Sequence, residues 1–220
     1  MFYIGLSGVA GSGKDLFFKV LKKELKKLKI NSERFALADA LKVEINSITF
    51  PSYGIDALSC SRKEKESIRD LLVCHGRTKR KMSKGRHWID RLQHTLDVLR
   101  FDEPTVICIT DIRYNEHEKD EAYWLKNELG GVLVHISQYE IKETPDKRHW
   151  PKTKIGKVFR APANEEEKRQ DPLVKKDADY RVELEYIHGT MEKVEACVAA
   201  KVKKFLKWLR EHEEKWLEKA

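Results

Sequence analysis

The chain has 220 residues, 40% of them apolar, enough to bury a full core in one domain with insertions rather than two separate domains. Its 44 Lys and Arg outnumber 36 Asp and Glu, giving a net charge of +8, an attraction that nucleotides satisfy as well as nucleic acid does, so charge alone does not choose between them. No apolar run approaches the roughly 18 residues that span a bilayer. Cys60, Cys74, Cys108 and Cys197 form no C-x-x-C pair and no zinc-ligand spacing with the histidines, so a disulfide scaffold and a zinc module are excluded and a reduced cytoplasmic protein is expected.

In chain order, FYIGL (2–6) reads as a strand entering a glycine loop rather than as a signal peptide. A helix follows in which Phe17, Val20, Leu21, Leu25 and Leu28 recur at helical spacing while lysines fill the other face. RFALA (34–38) is the second expected strand. Residues 39–103 read as a mostly helical insertion broken at PSYG and again at the basic stretch GRTKRKMSKGR. TVICIT (105–110) is a continuous apolar strand of the kind buried on both faces, and GVLVHIS (131–137) and DYRVELE (179–185) complete five strands. Residues 138–176 hold Pro145, Pro151, Pro162 and Pro172 with many charges and read as a long lid-like loop. At the C-terminus Met191, Val194, Val198, Val202, Phe205 and Leu209 share one face of a helix expected to be capped by Thr190, with its charged last turns in solvent. Strands alternating with helices predict a three-layer α/β/α domain on a five-stranded parallel sheet, with core 1–38, 104–137 and 177–210.

Three groups of residues carry chemistry. In SGVAGSGKD, Gly8, Gly11, Ser12, Gly13 and Lys14 match the phosphate-loop pattern G-x-x-x-x-G-K-[ST], except that Asp15 replaces the hydroxyl residue that helps hold Mg²⁺. An apolar strand before the loop and a helix after it place backbone N–H groups around a phosphate, with Lys14 reaching the β/γ oxygens. In TDIRYNEHE, Asp111 directly follows the buried strand, where a carboxylate can hold Mg²⁺ directly or through water, and Arg113 is near enough to fork onto a phosphate. The plainer alternative is that both merely cap the next helix and pair with Glu116. The third group is the arginine run Arg69, Arg77, Arg80 and Arg86, cations of the kind a transferring phosphoryl group needs, with Arg69 and Arg80 ahead because each lies beside an expected helix end.

The order of these motifs resembles the deoxynucleoside monophosphate kinases of tailed phages. SGVAGSGKD is similar to their SGxxxSGKD loop, which carries the same aspartate, and RFALADALK to their A-D-x-L-K segment. IRDLLVCHG with the later HWIDRL, ITDIRYNEHE, and DADYRVELEYIHGTMEKV resemble the family's R-x-L…W region, its D-x-R-x-x-x-E segment and its ending. The chain departs from the pattern at Val73, Cys74 and His75, where a glutamine-containing turn is expected, and HISQYE lacks an arginine that often follows the fourth strand. The resemblance implies an adenylate-kinase-like fold and ATP- and Mg²⁺-dependent phosphorylation of a deoxynucleoside monophosphate (dNMP) to the diphosphate. It implies that Gly8, Gly11, Gly13, Lys14 and Asp15 face the ATP phosphates and metal, and that Asp39, Lys42, Arg69, Trp88, Asp111, Arg113 and Glu116 surround the acceptor. The partners are then small nucleotides; neither membrane nor nucleic acid is expected, and a homodimer stays open.

Animal-type phosphomevalonate kinases share a similar G-K-D loop, D-x-R segment and terminal helix, so the phosphotransfer chemistry is better specified than the acceptor. Trp88 and Tyr114 offer base-stacking rings or plain core residues equally. From another class, a basic phosphate-loop protein that binds nucleic acid or acts as an NTP-driven switch is the remaining alternative.

Overall fold

The computed structural model describes residues 1–145 and 153–212. The first strand, β1 (Phe2–Ser7), ends at the glycine loop, and α1 (Lys14–Lys27) begins where Gly13 adopts φ 96°. Phe17, Val20, Leu21 and Leu25 bury the apolar face of α1, and the lysines stay on the solvent face. Leu28, expected on that face, instead ends the helix and is exposed.

The second strand is displaced from its expected place. β2 spans Asn31–Phe35, and Leu37 already begins α2 (Leu37–Tyr53). RFALA is split because the Asp111 carboxylate accepts the backbone N–H groups of Leu37 (2.8 Å) and Ala38 (2.9 Å), which fixes a helix start there. α2 closes at Gly54, the expected PSYG break. Then come α3 (Arg62–Ser67), α4 (Arg69–Met82) and α5 (Arg86–Val98). The basic stretch is thus not a break but the second half of α4, where cations suit a helix C-terminus, and only Ser83–Gly85 interrupts. Glu44 of α2 joins these helices by meeting a ring nitrogen of His75 and of His87, each at 3.0 Å.

β3 (Thr105–Ile112) is buried almost throughout. α6 (Glu121–Tyr123) passes into a wider turn, Trp124–Glu128, before β4 (Val132–Pro145). The expected loop at 138–176 is replaced by structure. β4 runs on past the sheet and pairs antiparallel with β5 (Thr153–Phe159), Tyr139 opposite Phe159 and Glu143 opposite Ile155. α7 (Glu165–Asp177) follows, with Pro172 inside it, whereas Pro151 lies outside the described residues. Proline content suggested a loop, but Asn164 accepts the Glu167 N–H at 2.8 Å and starts a helix that Pro172 does not end. β6 (Tyr180–Glu185) and α8 (Met191–His212) complete the fold. Thr190 supplies the first helical carbonyl to Val194 (3.2 Å); Met191 is exposed, and Val198, Val202, Phe205 and Leu209 form the buried stripe. The charged turns beyond His212 lie outside the described residues.

The five expected strands pair in parallel in the order β2-β3-β1-β4-β6, and the antiparallel β5 makes a sixth. One face of the sheet packs against α1 and α8, where Phe17 and Phe205 lie 6.0 Å apart between ring centres. The other packs Leu37, Ile89, Leu92, Leu96 and Trp124 against Ile107, Ile109 and Leu133. Three layers result, as expected. The chain leaves β1 toward β2 on one side and leaves β3 toward β4 on the other, so a crevice opens at the C-terminal ends of β1 and β3, where ligands of open α/β sheets bind. Among the described residues no helix is long and apolar enough to cross a membrane.

Candidate functional site

The glycine loop lies at that crevice. Gly8 has φ 129°, and a Cβ there would come 2.1 Å from the Ile136 carbonyl oxygen, so no other residue fits. Lys14 folds back over the loop, its Nζ donating to the carbonyls of Gly8 (2.5 Å) and Val9 (2.9 Å). Burial, then the positive charge of Arg113, lower its pKa to about 8. The Ser12 hydroxyl is fully buried and has no hydrogen-bond partner among the described residues. A tight backbone cradle, a retained ammonium and an orphan hydroxyl fit a phosphate group.

Gly8 and Val9 of the loop line a cavity of about 630 Å³. Leu41, Leu72, Val73 and Trp88 supply apolar wall, and Lys42, Arg69, Arg77 and Arg113 supply cations. The structure therefore brings Gly8, Lys42, Arg69, Trp88, Asp111 and Arg113 to one cavity. Arg69 is exposed and forked onto Glu66 (2.9 and 2.5 Å), a surface pair that costs little to break. Arg113 is half exposed and 3.8 Å from Glu167. Arg77 stands 3.9 Å from Glu166.

Asp111 is at the expected strand end with a role the sequence did not separate out. It caps α2, which precedes it in the chain, rather than the next helix, and both its oxygens accept N–H groups. A carboxylate has about four acceptor positions, so two remain for a metal-bound water. Asp15 is exposed in the first turn of α1 and makes no hydrogen bond or ion pair among the described residues. Hard oxygens are the donors Mg²⁺ takes, one or two carboxylates together with substrate phosphates. Among the described residues no group of three His, Cys, Asp or Glu could hold a metal.

Several expected roles change. Arg80 is not a mobile cation: it is 7% exposed, forked onto Asp120 (2.9 and 2.9 Å) and 3.3 Å from Glu121. Its guanidinium lies 3.5 Å from the centre of the Tyr114 ring, so that ring face is already covered. Trp88 is 5% exposed; its indole N–H donates to the Gly76 carbonyl (3.3 Å) and its ring meets His87 edge-on at 4.5 Å. It contributes apolar wall rather than an open stacking face. Arg86 pairs with Glu128 and Asp90, away from the cavity. Asp39 pairs with Lys42 (2.7 Å) and Arg34 (3.3 Å) and is not part of the cavity wall. Glu116 is also outside it, holding Arg169 (2.8 Å) and Gln170 (3.0 Å) of α7.

Sequence reasoning missed the residues that line the crevice from α7 and the hairpin. Glu167 accepts the N–H groups of Ala10 (3.2 Å to each oxygen) and Ala163 (3.0 Å), and Arg160 donates to the Ala10 carbonyl (3.0 Å) and to Gln138 (3.1 Å). The run NEEE, a capping residue followed three positions later by Glu, signals a helix start but not that this Glu reaches the glycine loop. Glu121 was also missed. It is buried, and desolvation pushes its pKa up to about 8, against the pull of Arg80; it accepts the N–H groups of Arg113 (2.7 Å) and Tyr114 (3.1 Å) and so fixes the backbone that presents Arg113.

No family model and no curated protein matches the chain. Similar solved structures include a dephospho-CoA kinase from Campylobacter jejuni, 13% identical with a TM-score of 0.39 over 94% of this chain and 96% of that one. Another is a gluconokinase from Sinorhizobium meliloti 1021, 13% identical with a TM-score of 0.34 over 96% of this chain and 97% of that one.

Proposed function

We propose that the protein is a deoxynucleoside monophosphate kinase that transfers the γ-phosphoryl group of ATP to a dNMP, giving dNDP and ADP. The observation that carries this reading is one cavity lined by Gly8 and Val9 of the glycine loop, whose carbonyls hold Lys14, and by an apolar wall set among Lys42, Arg69, Arg77 and Arg113. A phosphate loop and a second set of cations on one cavity suit transfer between two phosphorylated ligands.

The loop N–H groups and Lys14 bind the triphosphate, and Arg69, Arg77 and Arg113 turn onto the acceptor phosphate, releasing weak surface pairs. α2–α5 serve as the acceptor-binding part and the hairpin with α7 as the closing part of a single domain. An acceptor phosphate oxygen, already anionic, forms the new bond to the γ-phosphorus as the bond to the bridging β,γ-oxygen breaks, and the electron pair leaves on ADP. No general base is required, because that oxygen carries no proton to remove. Lys14 and the arginines hold the charge that spreads over the transferring group, so positioning and charge stabilisation supply the rate. Mg²⁺ would supply charge neutralisation on the phosphates, and Asp15 and Asp111 would hold it.

A specific observation favours a second reading. Arg80 covers one face of the Tyr114 ring, and Trp88 is packed against His87 and almost fully buried, so little ring surface is left for a base. A phosphomevalonate-like acceptor needs no such face. Thermal shift separates the two: dTMP, dGMP, dCMP and phosphomevalonate are each added with an ATP analogue and Mg²⁺, beside single-stranded DNA. A rise with at least one dNMP and none with phosphomevalonate is expected. A rise with phosphomevalonate alone moves the acceptor to the second reading, and a response to DNA alone contradicts both.

A further inference from the structure

We propose that Glu167 is a built-in competitor of the phosphate ligand, a carboxylate that occupies the loop's anion position until a phosphate displaces it. Its two oxygens share the N–H of Ala10, within the glycine loop and adjacent in sequence to Val9, whose carbonyl holds the Lys14 ammonium. Arg113 lies 3.8 Å away, and the negative charge of Glu167 acts on Lys14. The donors around this carboxylate are thus a loop N–H, a guanidinium and the field of an ammonium, the set a phosphoryl group requires. The Glu167 side chain is only 12% exposed, so it fills this position rather than hovering at its mouth.

The rest of α7 is fixed independently. Glu116 holds Arg169 and Gln170, and His135, itself buried, meets Asp171 at 3.0 Å. Displacement therefore requires only the first turn of α7 to rearrange. Glu167 also accepts the Ala163 N–H, and Arg160 grips the Ala10 carbonyl, so arrival of a phosphate frees contacts to the segment between β5 and α7. Two anions cannot share one N–H and one guanidinium, and the free protein binds phosphate more weakly by the fraction of molecules in which Glu167 has not withdrawn.

This inference rests on the reading of the glycine loop as a phosphate site, and the test separates the two. ADP and inorganic tripolyphosphate are titrated calorimetrically into wild type, Glu167→Gln, Glu167→Ala, Lys14→Ala and Glu192→Gln, with EDTA and again with Mg²⁺. Glu192, exposed on α8, controls for net charge, and melting temperatures verify that each variant is folded. Expected is about five- to tenfold tighter binding by Glu167→Gln and Glu167→Ala in EDTA, no change for Glu192→Gln, and loss for Lys14→Ala. Equal or weaker binding by both Glu167 variants, with Lys14→Ala still deficient, overturns the inference and leaves the phosphate site standing. Weakening confined to the Mg²⁺ arm makes Glu167 a metal-site residue and overturns it too. Absence of binding by wild type and every variant overturns both, whereas binding that appears only when Glu167 is removed supports both.

Discussion

The guanidinium of Arg80 and the carboxylate of Asp120 meet through two parallel hydrogen bonds of 2.9 Å, with 9% and 0% of their side chains exposed. Burial works against the Asp120 charge, but Arg80 and the N–H groups of Glu116 and His117 outweigh it and hold this carboxyl below its ordinary range. Because the folded pKa is lower than the unfolded one, this stabilisation is present above the ordinary carboxylate range and is lost as pH falls through the folded value. Arg80→Ala strands a buried carboxylate beside Glu121 and should cost about 3–5 kcal/mol in urea unfolding. A variant of unchanged stability but lost turnover would instead make Arg80 a substrate contact.

Lys14 connects pH with ligand affinity. Its pKa of about 8 leaves it mostly charged at neutral pH. Above that value the folded protein loses a proton that the unfolded chain keeps until about 10.5, so this group makes stability rise with pH across that window. Phosphate affinity runs the other way, because the bound phosphate needs the ammonium. ADP affinity measured at pH 7, 8 and 9 should fall above pH 8, approaching about tenfold per unit. Lys14→Arg stays charged and should flatten that fall; an equally steep fall in this variant would assign it to another group.

Asp111 carries two roles, and a shape-preserving change separates them. Asp111→Asn leaves one oxygen for two N–H groups and removes a charge favoured at the start of α2, so unfolding should be easier by about 1–2 kcal/mol. The Mg²⁺ concentration for half-maximal turnover should also rise. If stability drops while Mg²⁺ dependence stays as in wild type, Asp111 is a cap alone.

Asp15 makes no hydrogen bond or ion pair among the described residues, which is unusual for a carboxylate beside an anion site unless a cation lies between them. Asp15→Ser restores the common hydroxyl of the motif. If Asp15 only favours the helix dipole, a few tenths to about 1 kcal/mol of stability, catalysis should not change. We expect a clear drop in kcat/KM for the acceptor, and matching kinetics at several Mg²⁺ concentrations would return Asp15 to the role of a helix-start acid.

What could be read from the sequence was local. Gly8 to Lys14 stands out because the loop's backbone shape is encoded in adjacent residues, and TVICIT because a doubly buried strand needs an unbroken apolar run. β2 was misplaced because its end and the start of α2 depend on Asp111, more than seventy residues away. The hairpin and α7 were hidden by prolines and charges whose partners are also far along the chain: Glu167 finds Ala10, and Glu116 finds Arg169. Arg80 stood ahead of Arg77 because of its place beside an expected helix end; both reach the cavity wall, but tertiary packing forks Arg80 onto Asp120 and leaves Arg77 exposed.

The most direct measurement of the central claim is phosphorus NMR of wild type and Lys14→Ala with ATP, Mg²⁺ and each dNMP in turn. The account predicts that the γ-phosphate signal of ATP is lost as ADP and a deoxynucleoside diphosphate appear together. Lys14→Ala should slow this by several hundredfold, about 3–4 kcal/mol of transition-state stabilisation. ADP formed with free phosphate and no diphosphate of any acceptor, or a Lys14→Ala protein as fast as wild type, would contradict it.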